Sequence, residues 1–192
     1  MKTHIVAAAA LLVGCCFSVT GQQSHERLVT RLPVERNEPL VILETKVNGR
    51  DITPGEKFTA NDEWIRSIAF VVKNTSNKRV LFASVDLFFS QPDGANVMFN
   101  LFYGPFALQS RPPKPEELLV GISPGDTTEI AFSERQFAGF TKFVEETKLG
   151  RSIPKLDMRI GSVILEDDTM WSRGEFSRRD PSNPRGWINV SP

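Results

Sequence analysis

From Leu81 to Phe89 every second residue is apolar: Leu81, Ala83, Val85, Leu87 and Phe89. That period of two predicts a strand over Val80 to Ser90 with one face on the core. The opposite face carries Val80, Phe82, Ser84, Asp86 and Phe88, with Asp86 expected to face solvent. Ile65 to Lys73 reads as a preceding strand with apolar residues on both faces, Ile68, Phe70 and Val72 against Ala69 and Val71, so a central strand with some outer cover is expected there. "NTSNK" between the two is rich in turn formers and predicts a strand pair. Leu40 to Val47 and Val97 to Tyr103 have the same character, and "PDGAN" signals a hairpin. "LLVGISPGDTTEIAFS" reads as strand, Pro-Gly turn, strand.

Between Tyr103 and Leu118 the pattern lapses. Pro105, Pro112, Pro113 and Pro115 fix the backbone and remove donors, which predicts a crossover segment. The period then changes once. Phe137, Phe140 and Val144 recur at helical spacing over about 134–148. Ser133 and Gln136 form a capping box, and Gly150 stands where a C-terminal cap belongs. Packing on the sheet is expected, with Glu145 and Glu146 on the wet side and the helix as outer cover for the 65–73 strand. Further on, Leu156, Met158 and Ile160 share one strand phase, and Val163 and Leu165 the other. An extra residue at Gly161 would restore a single inward face, so a bulge is expected there.

Seven or so short strands with one inserted helix predict a mainly β fold: an antiparallel β-sandwich formed by a single domain over 38–192. The stretch "FVVKNTSNKRVLFASVDLFF" resembles immunoglobulin-like or fibronectin type III-like domains of envelope proteins. That resemblance implies an immunoglobulin-like sandwich and no particular activity.

The chain opens with "MKTHIVAAAALLVGCCFSVTGQQ". A positive start, an apolar run too short to span a bilayer stably and a polar continuation make the pattern of a secretory signal. Two processing sites fit. "VTG" before Gln22 gives a signal peptide over 1–21. "LVGC" resembles the lipobox of bacterial lipoproteins, which implies a leader over 1–14 and lipidation of Cys15. Residues 22–37 are polar and read as a flexible lead-in. The protein is thus expected to be exported, to the periplasm, cell envelope or extracellular space, with membrane contact only through an anchor at Cys15.

Composition narrows the chemistry. The 192 residues contain 23 Lys and Arg against 23 Asp and Glu, so no basic field draws nucleic acid. Both cysteines lie in the leader, so no disulfide is expected in the mature domain. About 165–170 mature residues are enough to bury roughly 70% of the unfolded surface. The one histidine beyond the leader, His25, falls in the lead-in. That argues against Ser–His–Asp, Cys–His and zinc sites. No phosphate-binding glycine loop occurs, and no cofactor is expected. Asn74-Thr75-Ser76 fits a glycosylation sequon.

Two groups remain. Glu166, Asp167 and Asp168 lie in a row; a plain turn is the simpler reading, and calcium the alternative. Trp171, Arg173, Arg178, Arg179, Arg185 and Trp187 form the candidate ligand-binding segment, since guanidinium beside indole suits carboxylates, phosphates or sugars. The competing reading has them closing the fold. The function expected is non-catalytic binding or scaffolding, with another envelope protein or a glycan as partner. The alternative is a carboxylate-based hydrolase acting on envelope or extracellular glycans.

Overall fold

A computed structural model describes residues 24–190 apart from positions 92 and 151. The readings of the leader (the signal peptide over 1–21, the shorter form over 1–14 and lipidation of Cys15) lie outside the described residues.

The described chain is mainly β. Its elements are β1 (His25–Arg31), β2 (Leu40–Val47), β3 (Arg50–Ile52), β4 (Lys57–Ala60), β5 (Ala69–Asn74), β6 (Val80–Ser90), β7 (Asn96–Tyr103), β8 (Thr127–Ala131), α1 (Glu134–Glu146), β9 (Lys155–Leu165), β10 (Thr169–Ser172), β11 (Glu175–Asp180) and β12 (Asn183–Asn189). The smaller sheet runs β3-β2-β5-β8. In the larger sheet β6 lies between β7 and β9, antiparallel to both. The other edge of β9 is divided. Its first half pairs parallel with β1, and its second half pairs antiparallel with β10. Beyond β1 lies β4, and beyond β10 lie β11 and β12. One apolar cluster joins the sheets, with Phe70, Val72 and Ile130 from the smaller and Val85, Leu87 and Phe89 from the larger. Two sheets around one core agree with the expected β-sandwich architecture.

The predicted strand pair is resolved differently. β5 and β6 belong to different sheets, and "TSNK" carries the chain across the core. Asn74 makes that crossing. Its side chain is fully buried, and Nδ2 donates to the carbonyls of Lys78 and Ile122, both at 2.8 Å. Oδ1 accepts from the amide and hydroxyl of Ser76. A polar turn between two apolar runs suits a hairpin or a crossover equally, which is why the pattern alone misassigns the pairing. The preceding strand is also shorter than expected, because Trp64–Ser67 forms a 3-10 turn.

The lead-in is ordered over β1. Arg27 is 1% exposed; it donates from Nη1 to Ser152 Oγ and to the Ile153 carbonyl, and from Nη2 to Asp62 Oδ1. Val29 is fully buried beside it. The polar string "SHERLVTR" hides this strand, because its inward positions include an arginine whose charge is met by partners distant in sequence.

β6 is apolar on much of both faces, and its outer cover is not α1. Phe82, Leu108 and Ile164 form a second cluster on the outer face, packed by Phe102, Leu118 and Trp187. The proline-rich segment after β7 supplies this cover. Arg111 and Glu117 pin it through two hydrogen bonds, at 2.7 and 2.6 Å. α1 instead closes the main core: Phe140 meets Phe89 at 5.5 Å and Phe99 at 5.2 Å between ring centroids. Its capping box, Ser133 with Gln136, forms as expected. The left-handed residue after the helix is Lys148, with φ 54°, rather than Gly150.

The register between β6 and β9 steps from Ala83↔Val163 to Val85↔Ile160. β9 thus holds an extra residue at Gly161–Ser162, the expected bulge. A second irregularity, between Val80 and Phe82, places the extra residue on β6. After β9 the chain makes three more strands, β10, β11 and β12. Arg173 and Gly174, with φ 50° and 83°, form the two-residue turn between β10 and β11.

Candidate functional site

The Arg–Trp segment does not form one surface. Trp171 is fully buried, its indole N–H donating to the Arg36 carbonyl at 3.0 Å. Arg179 is 7% exposed. Its Nε donates to both oxygens of Asp168, at 2.9 and 2.8 Å. Nη1 and Nη2 donate to the carbonyls of Pro184 and Leu108, each at 2.7 Å. The guanidinium stacks 4.1 Å from the Trp187 ring, and Trp187 donates to the Gln109 carbonyl. These three residues are therefore corrected from ligand groups to closing contacts: they clamp β11 and β12 onto the proline-rich cover. Arg178 and Arg185 are exposed. Arg178 faces away from Arg179 because neighbouring residues of a strand point to opposite sides.

The acidic row forms the turn between β9 and β10, the simpler of its two readings. Glu166 accepts from the Arg79 amide, Asp167 pairs with Lys78 at 2.5 Å, and Asp168 is held by Arg179. Asp168 has φ 59°, as the turn between β9 and β10 requires. The three carboxylates diverge to separate partners, and among the described residues no group of three or more metal-ligating side chains occurs.

Arg173 leads to the site that the pattern missed. It overhangs a hollow of about 230 Å³ on the outer face of the larger sheet, which Asp86 also lines. Asp86 is 5% exposed, not solvent-facing. It lies across from Asn100 on β7 and Arg159 on β9. Asn100 Nδ2 donates to Asp86 Oδ1 at 2.7 Å, and Arg159 Nε stands 3.5 Å from Oδ2. Burial pushes the Asp86 carboxyl above the ordinary aspartate value, against the pull of Arg159 and Asn100. The bulge on β9 makes room for this carboxylate at Gly161, where any side chain would overlap it.

Three serines complete the polar floor. Ser84 Oγ accepts from the Ser162 amide at 2.9 Å, and the two hydroxyls lie 3.1 Å apart. Ser172 Oγ donates to the Gly161 carbonyl. Phe82, Phe102 and Phe106 form the apolar wall. The available signal was Ser84-x-Asp86 on the outer face of an otherwise apolar strand. Nothing in the local pattern shows that the distant 104–121 segment walls that face in.

A second hollow, of about 640 Å³, borders the first. Phe102 and Phe106 belong to it too, with Ser133, Arg135, Gln136 and Gly139 from the start of α1 on its far side. Gln136 Nε2 donates to the Phe102 carbonyl at 2.8 Å, tying the helix to β7. Compared with known proteins, the chain matches no family model, no curated protein and no solved structure.

Proposed function

We propose that this chain is a non-catalytic binding module, exported to the cell envelope or beyond, which recognises a glycan through the Asp86 hollow. The finer fold description in this proposal is immunoglobulin-like. Strand order supports it: β2-β5-β8 in one sheet and β7-β6-β9-β10 in the other, with the chain crossing between sheets after β5 and again through α1. That alternation supports an immunoglobulin-type sandwich with an extra edge strand. The leader pattern supports export, with Cys15 as the anchor if the lipobox is used.

The observation that carries the binding reading is the arrangement around Asp86. A carboxylate, an amide and three hydroxyls converge beneath an aromatic wall, which suits a ligand with many hydroxyls and apolar ring faces. Hydrolysis is the weaker reading. Glycoside hydrolysis uses two carboxyls about 5–10 Å apart across the bond, and among the described residues Asp86 is the one carboxylate lining the hollow. Glu35, which shares Arg159, stands outside it.

The test is an NMR titration of the mature protein with neutral and acidic oligosaccharides. The Asn100 side-chain amide should shift, and Asn100→Ala should abolish the shifts elsewhere in the hollow. Release of reducing ends would favour the hydrolase. No response to any saccharide would defeat the proposal.

A further inference from the structure

We infer that the two hollows form one groove for an acidic linear oligosaccharide, its anionic groups taken by Arg173 at one end and Arg135 at the other. This rests on the glycan reading of the Asp86 hollow and adds the ligand's charge and extent.

The Phe102 and Phe106 rings lie 5.4 Å apart, centroid to centroid, and both residues line both hollows. They form the saddle between them. Phe106 is 57% exposed, an aromatic surface left open where a pyranose ring could lie across it. On one side of the saddle Asp86, Asn100 and the serines offer hydrogen bonds to hydroxyls. On the other lies the first turn of α1.

Charge then selects the ligand. Among the described residues the Arg135 and Arg173 side chains make no hydrogen bond or ion pair within 4.0 Å, Arg173 acting on Asp86 only by longer-range attraction, whereas the other charges near the groove are held in close pairs. Glu134, beside Arg135, is held by Arg66 at 2.9 Å. Asp86 is faced by Arg159. Arg111, at the base of the cover, is spent on Glu117. Two open guanidiniums at the ends of a groove whose one lining carboxylate is already opposed favour carboxylate or sulfate groups. An acidic peptide fits less well. An added strand would need the free edge of β7, and Gln136 already occupies the Phe102 carbonyl there.

The experiment is calorimetry of the mature protein with three probes: an oligogalacturonate, a neutral oligosaccharide of equal length, and a polyglutamate peptide. The oligogalacturonate should bind about 5- to 10-fold more tightly than the neutral sugar, with the advantage shrinking as salt screens the rim. Arg135→Gln and Arg173→Asn should each weaken the acidic probe about 3- to 10-fold and leave the neutral one unchanged, as loss of an exposed charge-assisted contact requires. Both positions are exposed, and asparagine tolerates the left-handed backbone at 173, so folding is preserved. Equal affinity for neutral and acidic sugars would overturn this inference and leave the glycan reading standing. So would an Arg135→Gln variant that binds the acidic probe normally. Polyglutamate binding as tight as the sugar would overturn it in favour of a charge-only surface. Absence of binding by either sugar removes both readings together.

Discussion

The carboxylate of Asp86 occupies the space a side chain at Gly161 would need: a Cβ there would overlap Asp86 Oδ1 and crowd Ser84 Oγ. The two residues are coupled across β6 and β9 through the bulge. Gly161→Ala should therefore cost about 1–3 kcal/mol, the usual penalty for overfilling a packed site. The same change in an Asp86→Ala background should cost clearly less. Urea denaturation of the four proteins measures both. Additive effects would show that the carboxylate is not what excludes a side chain at 161.

Asp86 also imposes a pH dependence. Its folded-state pKa lies above the ordinary aspartate value of 3.8 because burial disfavours the charge. The folded chain therefore keeps this proton at pH values where the unfolded chain has lost it. The resulting stability is complete below the ordinary value and falls away as pH rises through the raised one. Glu38, also raised by burial, acts in the same direction. Asp86→Asn should flatten the decline in Tm as pH rises above the ordinary aspartate range. An unchanged slope would place the effect elsewhere.

Glu117 behaves in the opposite sense. Hydrogen bonds from Arg111 and the Lys114 amide hold its carboxyl at about 2 against an ordinary 4.5. Its contribution is present above the ordinary value and is lost as pH falls toward the depressed one. The proline-rich cover should loosen on acidification before the sheets do. Trp187, bonded to the Gln109 carbonyl, reports on this. Acrylamide quenching should rise on acidification, and Glu117→Gln should show the raised quenching already at neutral pH.

Asn74→Ala should destabilise the protein by about 2–4 kcal/mol, since it strands the buried Lys78 and Ile122 carbonyls. The same geometry bears on the sequon. The nitrogen that glycosylation would modify is donating to both of those carbonyls. Expression in a glycosylating secretory host should yield folded protein unmodified at Asn74, which mass spectrometry of the tryptic peptides checks.

Local features of this fold are readable from sequence, and partnerships are not. β6 is found at both its ends because its alternation extends over eleven residues. Ser133 and Gln136 locate the start of α1 because capping is a contact within one turn. The phase change around Gly161 predicts the bulge because a strand has only two faces. None of these reveals which strand lies beside which. β5 and β6 look like a hairpin until Asn74 is seen holding Ile122 from across the core. The candidate site depends on such distant contacts. Asp86 reads as a wet residue until the 104–121 segment folds over that face. Arg173 reads as part of an arginine cluster until the tight turn carries it to the hollow. Trp171 and Arg179 look available because their partners, Arg36 and Leu108, are remote in sequence.

The divided edge of β9 governs the order in which this protein can assemble. β1 is synthesised long before Lys155–Met158, the segment it pairs with in parallel. A nascent chain thus holds β1 against β4 alone while the rest emerges. Closure of the larger sheet waits for nearly the whole polypeptide, and pairings this far apart in sequence form slowly. Until then an unsatisfied strand edge is open to other chains. A chaperone that shields this edge would act on β1, before β9 has emerged to divide its own edge between two partners.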